Sequence, residues 1–375
     1  MFYAEILEET HDHLENSFVS TFNIYTALGM VLAGCEGNTK AEMIRAMQLS
    51  NHLKVEIIHN RIGEMLSKCS KADRGVEIIL GNRLFARKNM DIKKHFKKTL
   101  KKYYNALVEN VAFQTDPESA RIRINQWVSE QTDGKVQQLI PSKLLQNDTS
   151  AVVVSTTYFR GMWNLPFLPN ATTDSDFYTL DGLTINVRLM YKESFFDMTS
   201  LPHLMARGVK IPFKDPKYSL LVILPNELNG LPNLLKLLYK TGGISSVLSS
   251  NFENTKLQLY LPKFKLREGS ALSLKSVLRK MGINDAFNSE SADFSNITDS
   301  DRLYISDVLH KAILEIDEQG VIAAAATEVR LLIGSCCGPQ EPVPEFRVDH
   351  PFIVSVVWND SVPVFLGHIT APTND

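Results

Sequence analysis

Few residues in this chain are spaced for covalent chemistry. There is no Gly-x-Ser-x-Gly nucleophile turn, no His-Glu-x-x-His zinc helix, no phosphate-cradling glycine loop and no Cys-x-x-Cys pair. His11 and His13 flank Asp12, a pattern commoner in a solvated helix end than in a metal site, so no metal and no cofactor are expected. Two other stretches carry unusual chemistry. In "RKNMDIKKHFKKTLKKYY", Lys94, Lys97, Lys98, Lys101 and Lys102 recur at three- and four-residue spacing. On a helix they form a cationic face opposite Ile92, Phe96, Leu100 and Tyr103. Polyanion binding is the functional reading of that face, and a solubilising surface is the commoner one. The second stretch is "EQGVIAAAATEVRLLIGSCCGPQEPVPEF", Glu318 to Phe346. Its four alanines favour a helix, while Val321, Ile322, Val329 and Ile333 favour a strand. It then dissolves into Gly, Cys and Pro.

The elements around these stretches belong to an ordinary globular chain. With 375 residues, 44% hydrophobic and 22% charged, it can bury a large core, and a net charge of −2 gives no global reason to expect nucleic acid as a partner. The start, "MFYAEILEETHDHLENSF", has no basic region followed by an apolar run and a cleavage site, so no signal peptide is read there. No apolar run is long enough to span a bilayer. The expected compartment is the cytoplasm, or the outside after leader removal or unconventional export. Cys35, Cys69, Cys336 and Cys337 are too few for a disulfide scaffold and are expected as thiols. Sequons at Asn147, Asn170, Asn296 and Asn359 matter only on a secretory route.

No repeat and no Gly/Ser-rich or Pro-rich linker divides the chain, which predicts one domain over 1–375. The first third reads as mainly helical. "NIYTALGMVLAGCEGNTKAEMIRAM" is broken at Gly37-Asn38, "VEIIHNRIGEMLSKC" follows, and "ARIRINQWVSEQT" is closed at Gly134. Strands dominate afterwards: "SAVVVSTTYF", "RGVKIPF", "YSLLVILP", "KLQLYLPKFKL" and "HPFIVSVVW…VPVFLGHI", with "ALSLKSVLRKMGI" as a helix between two of them. Helices in front and strands behind, without regular alternation, predict an α+β fold.

"EQGVIAAAATE" followed by "VDHPFIVSVVW" resembles the reactive-loop hinge and following strand of the serpins. "GNTKAEM", "INQWVSEQTDGKVQQLI", "YFRGMW", "LPKFKL", "ADFSNI" and "ISDVLHKAILEIDEQG" also resemble serpin motifs, in the family's order over nearly the whole chain. The layout is most similar to the intracellular, ovalbumin-like branch. The resemblance implies three β-sheets, eight or nine helices and an exposed reactive-centre loop over about 318–344. It implies no enzyme but a suicide inhibitor: a protease cuts the loop, and the cut segment enters the main sheet as a new strand with the acyl-enzyme in tow. The alternatives are a non-inhibitory serpin acting as a binding, carrier or chaperone-like protein, and an inhibitor of a cysteine protease. The expected partner is a serine protease, chymotrypsin- or elastase-like by preference and trypsin-like otherwise. No nucleic acid partner is expected, and the chain is expected to act as a monomer.

Residue by residue, the resemblance makes Glu318, Gly320, Val321, Ala323, Ala324, Ala325, Ala326 and Thr327 the hinge. The residues support a strand. From Val321, one face carries Val321, Ala323, Ala325, Thr327, Val329 and Leu331, all uncharged, and the other carries Ile322, Ala324, Ala326, Glu328, Arg330 and Leu332. Ile322 stands where the family usually has an acidic residue, and Val321 where it often has Thr or Ser. Family spacing places the reactive bond at Gly334-Ser335; Ile333, Leu332 and Arg330 are the alternatives. Ser20, Asn23, Ser155 and His310 fall at the family's shutter, with Thr21 for the usual Pro, Asn23 for a Ser and Ser155 for an Asn. A rebuilt hydrogen-bond set is expected there. Trp163 and Glu318 fall at the breach, where insertion begins. Cys336 and Cys337, just past the bond, are read as incidental.

Overall fold

The computed structural model describes residues 15–50, 52–71, 75–267, 271–299, 303–318 and 342–373. In chain order the described elements begin with β1 (Ser17–Val19), α1 (Thr21–Leu32), α2 (Gly37–Ala46), α3 (Val55–Cys69), β2 (Val76–Arg87), α4 (Lys94–Tyr104), β3 (Leu107–Val111) and α5 (Pro117–Gln131). Then come β4 (Ala151–Gly161), β5 (Thr173–Tyr178), β6 (Thr184–Leu201), β7 (Ala206–Pro212), β8 (Tyr218–Pro225), α6 (Leu231–Lys240), α7 (Ile244–Leu248), β9 (Glu253–Pro262) and β10 (Phe264–Arg267). The chain finishes with β11 (Leu272–Ser273), α8 (Lys275–Lys280), β12 (Ile305–Ile316), β13 (Glu345–Arg347), β14 (Phe352–Trp358) and β15 (Val362–Ile369).

The first sheet runs β10-β12-β4-β2-β3, with β11 against the lower part of β12. β4 is buried along its whole length apart from the half-buried Arg160. That is why its sequence reads as an unbroken Val and Thr run rather than an alternation. The second assembly is threaded by β6. Its first part pairs with β5 and β9, and its last residues pair with β7, which continues through β8, β14 and β15 to β1. Continuous hydrogen bonding along this 18-residue strand therefore joins the two further sheets that the resemblance implies.

Three apolar clusters fill the spaces between these layers. One gathers the amino-terminal helices with α6 and α8. A second lies between the first sheet and the β7-β8-β14-β15 layer, around Phe18, Trp163, Phe213 and Tyr218. The third seats α5 on the opposite face of the first sheet, through Ile124, Trp127 and Val128 against Val152, Val154 and Leu309. Asp116 caps α5 by accepting the Ser119 N–H at 2.9 Å, and Pro117 occupies its first turn. Asn125 then pins the returning chain: its Oδ1 accepts from the Leu139 and Ile140 amides at 3.0 and 2.8 Å.

Several local expectations change. α5 ends at Gln131, and Gly134 follows in the left-handed region at φ +76°. Gly37 opens α2 instead of separating two helices; the break lies before it. The helical front third also contains β2, whose Val76-Glu77-Ile78 start alternates but whose centre is shielded on both sides, so no simple period marks it. "KLQLYLPKFKL" splits at Lys263 into β9 and β10, which serve different sheets.

Candidate functional site

At the centre of the first sheet β4 and β12 run parallel. Their ladder extends from Ile305 opposite Ala151, through His310 opposite Ser155, to Leu314 opposite Phe159, with one irregularity between Ile305 and Asp307. No strand stands between them. Each outer neighbour in contact with this pair is antiparallel: β2 along β4, and β10 and β11 along β12. A strand entering antiparallel to both would replace one parallel ladder by two antiparallel ones, which are slightly more stable per residue.

Beneath this junction lies a buried polar set contributed by α1, β2, β4 and β12. The backbone N–H of Ser20 donates to Nε2 of His310 at 3.0 Å. That nitrogen must accept, so the proton of the neutral ring sits on Nδ1, which faces Ser155 Oγ at 3.1 Å. Asn23 Nδ2 shares its hydrogens among Ser155 Oγ at 3.0 Å, Thr157 Oγ1 at 2.9 Å and the Thr156 carbonyl at 3.0 Å. Asn82 on β2 donates to Asn23 Oδ1 at 2.6 Å. Ser20 Oγ both caps α1, accepting from the Asn23 amide at 3.2 Å, and donates to the Val364 carbonyl at 2.9 Å. Burial alone lowers His310 to about 3, so it stays neutral.

The four residues singled out in the sequence, Ser20, Asn23, Ser155 and His310, are thus brought together. The two residues read as departures from the family pattern, Asn23 and Ser155, bond each other directly, an amide donating to a hydroxyl. Asn82 and Thr157 complete the set and were not read from the sequence. Neither position is distinguished by a local pattern, since the strand register alone brings Asn82 opposite Ser155. Around the same strands the Thr156 hydroxyl and the side-chain oxygen Oδ1 of Asn82 find no partner among the described residues.

At the upper end of the junction Trp163 stacks on Phe213 with centroids 4.7 Å apart, and its Nε1 donates to the Asp317 carbonyl at 2.7 Å. The Phe167 amide donates to the Glu318 carbonyl at 2.8 Å, and the Glu318 carboxylate pairs with Lys263 at 2.8 Å. Burial opposes ionisation of Glu318, but the Lys263 ammonium together with hydrogen bonds to the carboxylate outweighs it, and the carboxyl stays below its ordinary range. Trp163 and Glu318 therefore share one anchored corner where β12 ends. Lys263 was quoted in a motif without a role, because only the fold brings it to Glu318.

Lys94, Lys97, Lys98, Lys101 and Lys102 are all exposed on α4, opposite the buried Phe96, Leu100 and Tyr104. Tyr104 takes the core position expected of Tyr103, which is only half-buried, because 104 lies closer to the Leu100 side of the helix. Gly320, Val321, Ala323, Ala324, Ala325, Ala326, Thr327, Arg330, Leu332, Ile333, Gly334, Ser335, Cys336 and Cys337 lie outside the described residues, as do His11 and His13. Cys35 and Cys69 are buried free thiols, and burial pushes Cys69 up to about 11. The described residues include no cluster suited to a metal ion and no helix long and apolar enough to cross a membrane.

Comparison with known proteins agrees with this architecture. The family model described as Serpin (serine protease inhibitor) matches residues 1–372. The chain is 31% identical to Serpin B3 of Homo sapiens over 386 residues, covering 99% of this chain and 97% of that protein. It is also 31% identical to the leukocyte elastase inhibitor of Equus caballus over 366 residues, covering 96% and 94%. The solved structure of human thyroxine-binding globulin is similar at a TM-score of 0.87 and 25% identity, covering 100% of this chain and 96% of that one. The chain belongs to the serpin family, whose members are protease inhibitors rather than enzymes.

Two measurements follow from the buried polar set. Asn23→Ser and Ser155→Asn should each destabilise the protein by about 1–3 kcal/mol by orphaning a buried group. The double exchange should recover part of that loss in urea denaturation; strictly additive losses would mean that the two positions are independent. The second concerns pH. His310, His59 and His368 are held neutral by burial, at about 3, 4 and 4. A folded-state value below the unfolded value near 6.5 means that this stability is complete above pH about 6.5 and drains as the pH falls towards 3–4. The urea midpoint should decline from pH 6.5 downward, and His310→Gln, which can still accept and donate, should flatten part of that decline.

Proposed function

We propose that this chain is a suicide inhibitor of serine proteases, in which the segment beyond Gly320 is cut as bait and then enters between β4 and β12. The observation that carries the reading is the closed parallel junction at the sheet's centre, flanked by antiparallel neighbours. Entry of a strand there converts the parallel ladder into two antiparallel ones and gives the entering segment main-chain hydrogen bonds on both sides. The sequence of that segment suits the task. One face is uncharged and would meet the core beneath the sheet, while Glu328 and Arg330 share the other face. Unpartnered polar atoms on Thr156 and Asn82 add a cost to the closed state. Energy held in this way is kinetic metastability, released only after the loop is cut.

The nominal reactive bond is Gly334-Ser335, with Ile333, Leu332 and Arg330 as alternatives. Apolar residues just before it suit chymotrypsin- or elastase-like enzymes, and a relative named leukocyte elastase inhibitor is consistent with that class. Cleavage after Arg330 leaves a segment four residues shorter and is expected to release intact trypsin-like enzyme. A second reading, a carrier serpin that no longer traps, is favoured by the departures at Val321 and Ile322. It is also favoured by the likeness to thyroxine-binding globulin, whose name says that it binds thyroxine.

Mixing the protein with trypsin, chymotrypsin, elastase and a papain-like enzyme separates these readings on denaturing gels. A denaturation-stable complex with a serine protease is the expected result, and the mass of the released carboxy-terminal fragment identifies the bond. Clean cleavage by every enzyme, with no rise in stability on cleavage, favours the carrier reading. Two adjacent alanines then test insertion itself. Ala325→Arg places a charge on the face turned to the core and should abolish most of the complex in favour of cleaved inhibitor. Ala326→Arg, on the opposite face, should retain it.

A further inference from the structure

β6 carries a lysine where its alternation calls for an apolar side chain. Met190, Lys192, Ser194 and Phe196 share one face of the strand, and Met190 and Phe196 are buried. On the paired strand β9, Leu261, Leu259 and Leu257 stand opposite Met190, Lys192 and Ser194, and all three leucines are fully buried. Lys192 itself is half-buried and forms no ion pair among the described residues. Its chain neighbour Glu193 lies on the opposite face and pairs with Lys256 at 2.8 Å. Main chain fastens the amine instead. Nζ donates to the carbonyls of Leu165 and Pro166, the latter at 3.1 Å, and stands 5.8 Å from the centre of the Phe167 ring. Two hydrogens serve two carbonyls, so the third proton can leave without breaking either bond. Burial lowers Lys192 to about 8, and no carboxylate offsets it. Desolvation of this kind turns a lysine into a nucleophile near neutral pH.

We propose that Lys192 is a covalent modification site, the preferred acceptor of acyl groups from thioesters. The neutral amine attacks the thioester carbonyl carbon, the C–S bond breaks, and the surplus proton on nitrogen passes to the departing thiolate. An amide and a free thiol are the products. The amide keeps one N–H where two carbonyls were served, so acylation detaches Leu165 or Pro166. The same short loop holds the upper corner of the junction. The Phe167 amide donates to the Glu318 carbonyl at 2.8 Å, and the Phe167 ring meets Trp163 edge-on with centroids 5.8 Å apart. Acylation on β6 therefore loosens the support of the corner where β12 ends. The acceptor site and its chemistry stand apart from the trapping reading.

The test treats the intact protein with the thioester S-acetyl-N-acetylcysteamine at about pH 8 and follows each lysine by peptide mass spectrometry. Lys192 should be acetylated roughly tenfold faster than the exposed Lys94, Lys97, Lys98, Lys101 and Lys102, because its larger neutral fraction outweighs its lower basicity. Its rate should level off above about pH 8, while theirs keep climbing towards about pH 10. A Lys192 rate no greater than theirs at the lower pH, or one that climbs in parallel with theirs, overturns the proposal. The effect on the corner is read separately. Treatment should lower the urea midpoint of the natural chain, and should lower that of Lys192→Arg less, with the same exposed lysines acetylated. Equal losses overturn the loosening and leave the modification standing. The rate comparison needs only the natural chain, so it decides the site even where Lys192→Arg does not fold.

Discussion

The parallel ladder between β4 and β12 is the constraint around which the rest of this structure is organised. Both strands are buried on both faces, so the ladder is protected from water, and each has an antiparallel neighbour on its outer side. The ladder is also held from below. His310, locked in one tautomer by the Ser20 amide, ties β12 to the start of α1, and Asn23 ties α1 to β4 and β2. A neutral histidine in this position joins three layers through directional bonds and adds no charge to the core. Separating the strands would have to break or rearrange that set before any new main-chain bonds form, which gives the closed arrangement a kinetic character on the proposed mechanism.

The surroundings add to the same constraint. α5 lies over the junction on the opposite face, and Asn125 stitches the chain after it across the sheet. At the upper end, Trp163 and Phe213 stack in a corner where the backbone of Asp317 and Glu318 is anchored by Trp163 and Phe167. At the lower end the ladder loosens at one irregularity beside a cavity. A firm corner where a strand would begin to enter and a roomier foot where it would finish form a directional arrangement along one sheet.

Much of the site was legible as separate residues. His310, Ser155, Asn23 and Ser20 stood out because motif resemblance locates positions one at a time, and Trp163 and Glu318 did for the same reason. Their mutual geometry was not legible. Asn23 and Ser155 were separate departures in the sequence and are one contact in space, since residues 23 and 155 meet only through packing of α1 beneath β4. Asn82 escaped notice because β2 has no clean period, being covered on both faces at its centre. Tyr104 displaced Tyr103 in the core because a helical arc drawn on a short helix is ambiguous by one residue at its edge.

By itself the sequence determined the α+β class, the positions of β4, β7, β8, β9, β14 and β15, the cationic face of α4 and the alternating pattern after Gly320, because these follow from local period and composition. The family also followed, from ordered motifs along the chain. Only the tertiary structure decided that β4 and β12 are neighbours and parallel, that one strand, β6, threads two sheets, and that Lys263 reaches Glu318. Strand pairing depends on contacts between residues more than a hundred positions apart, and no local pattern records which of several similar apolar runs will meet. The ladder at the heart of the molecule is such a contact.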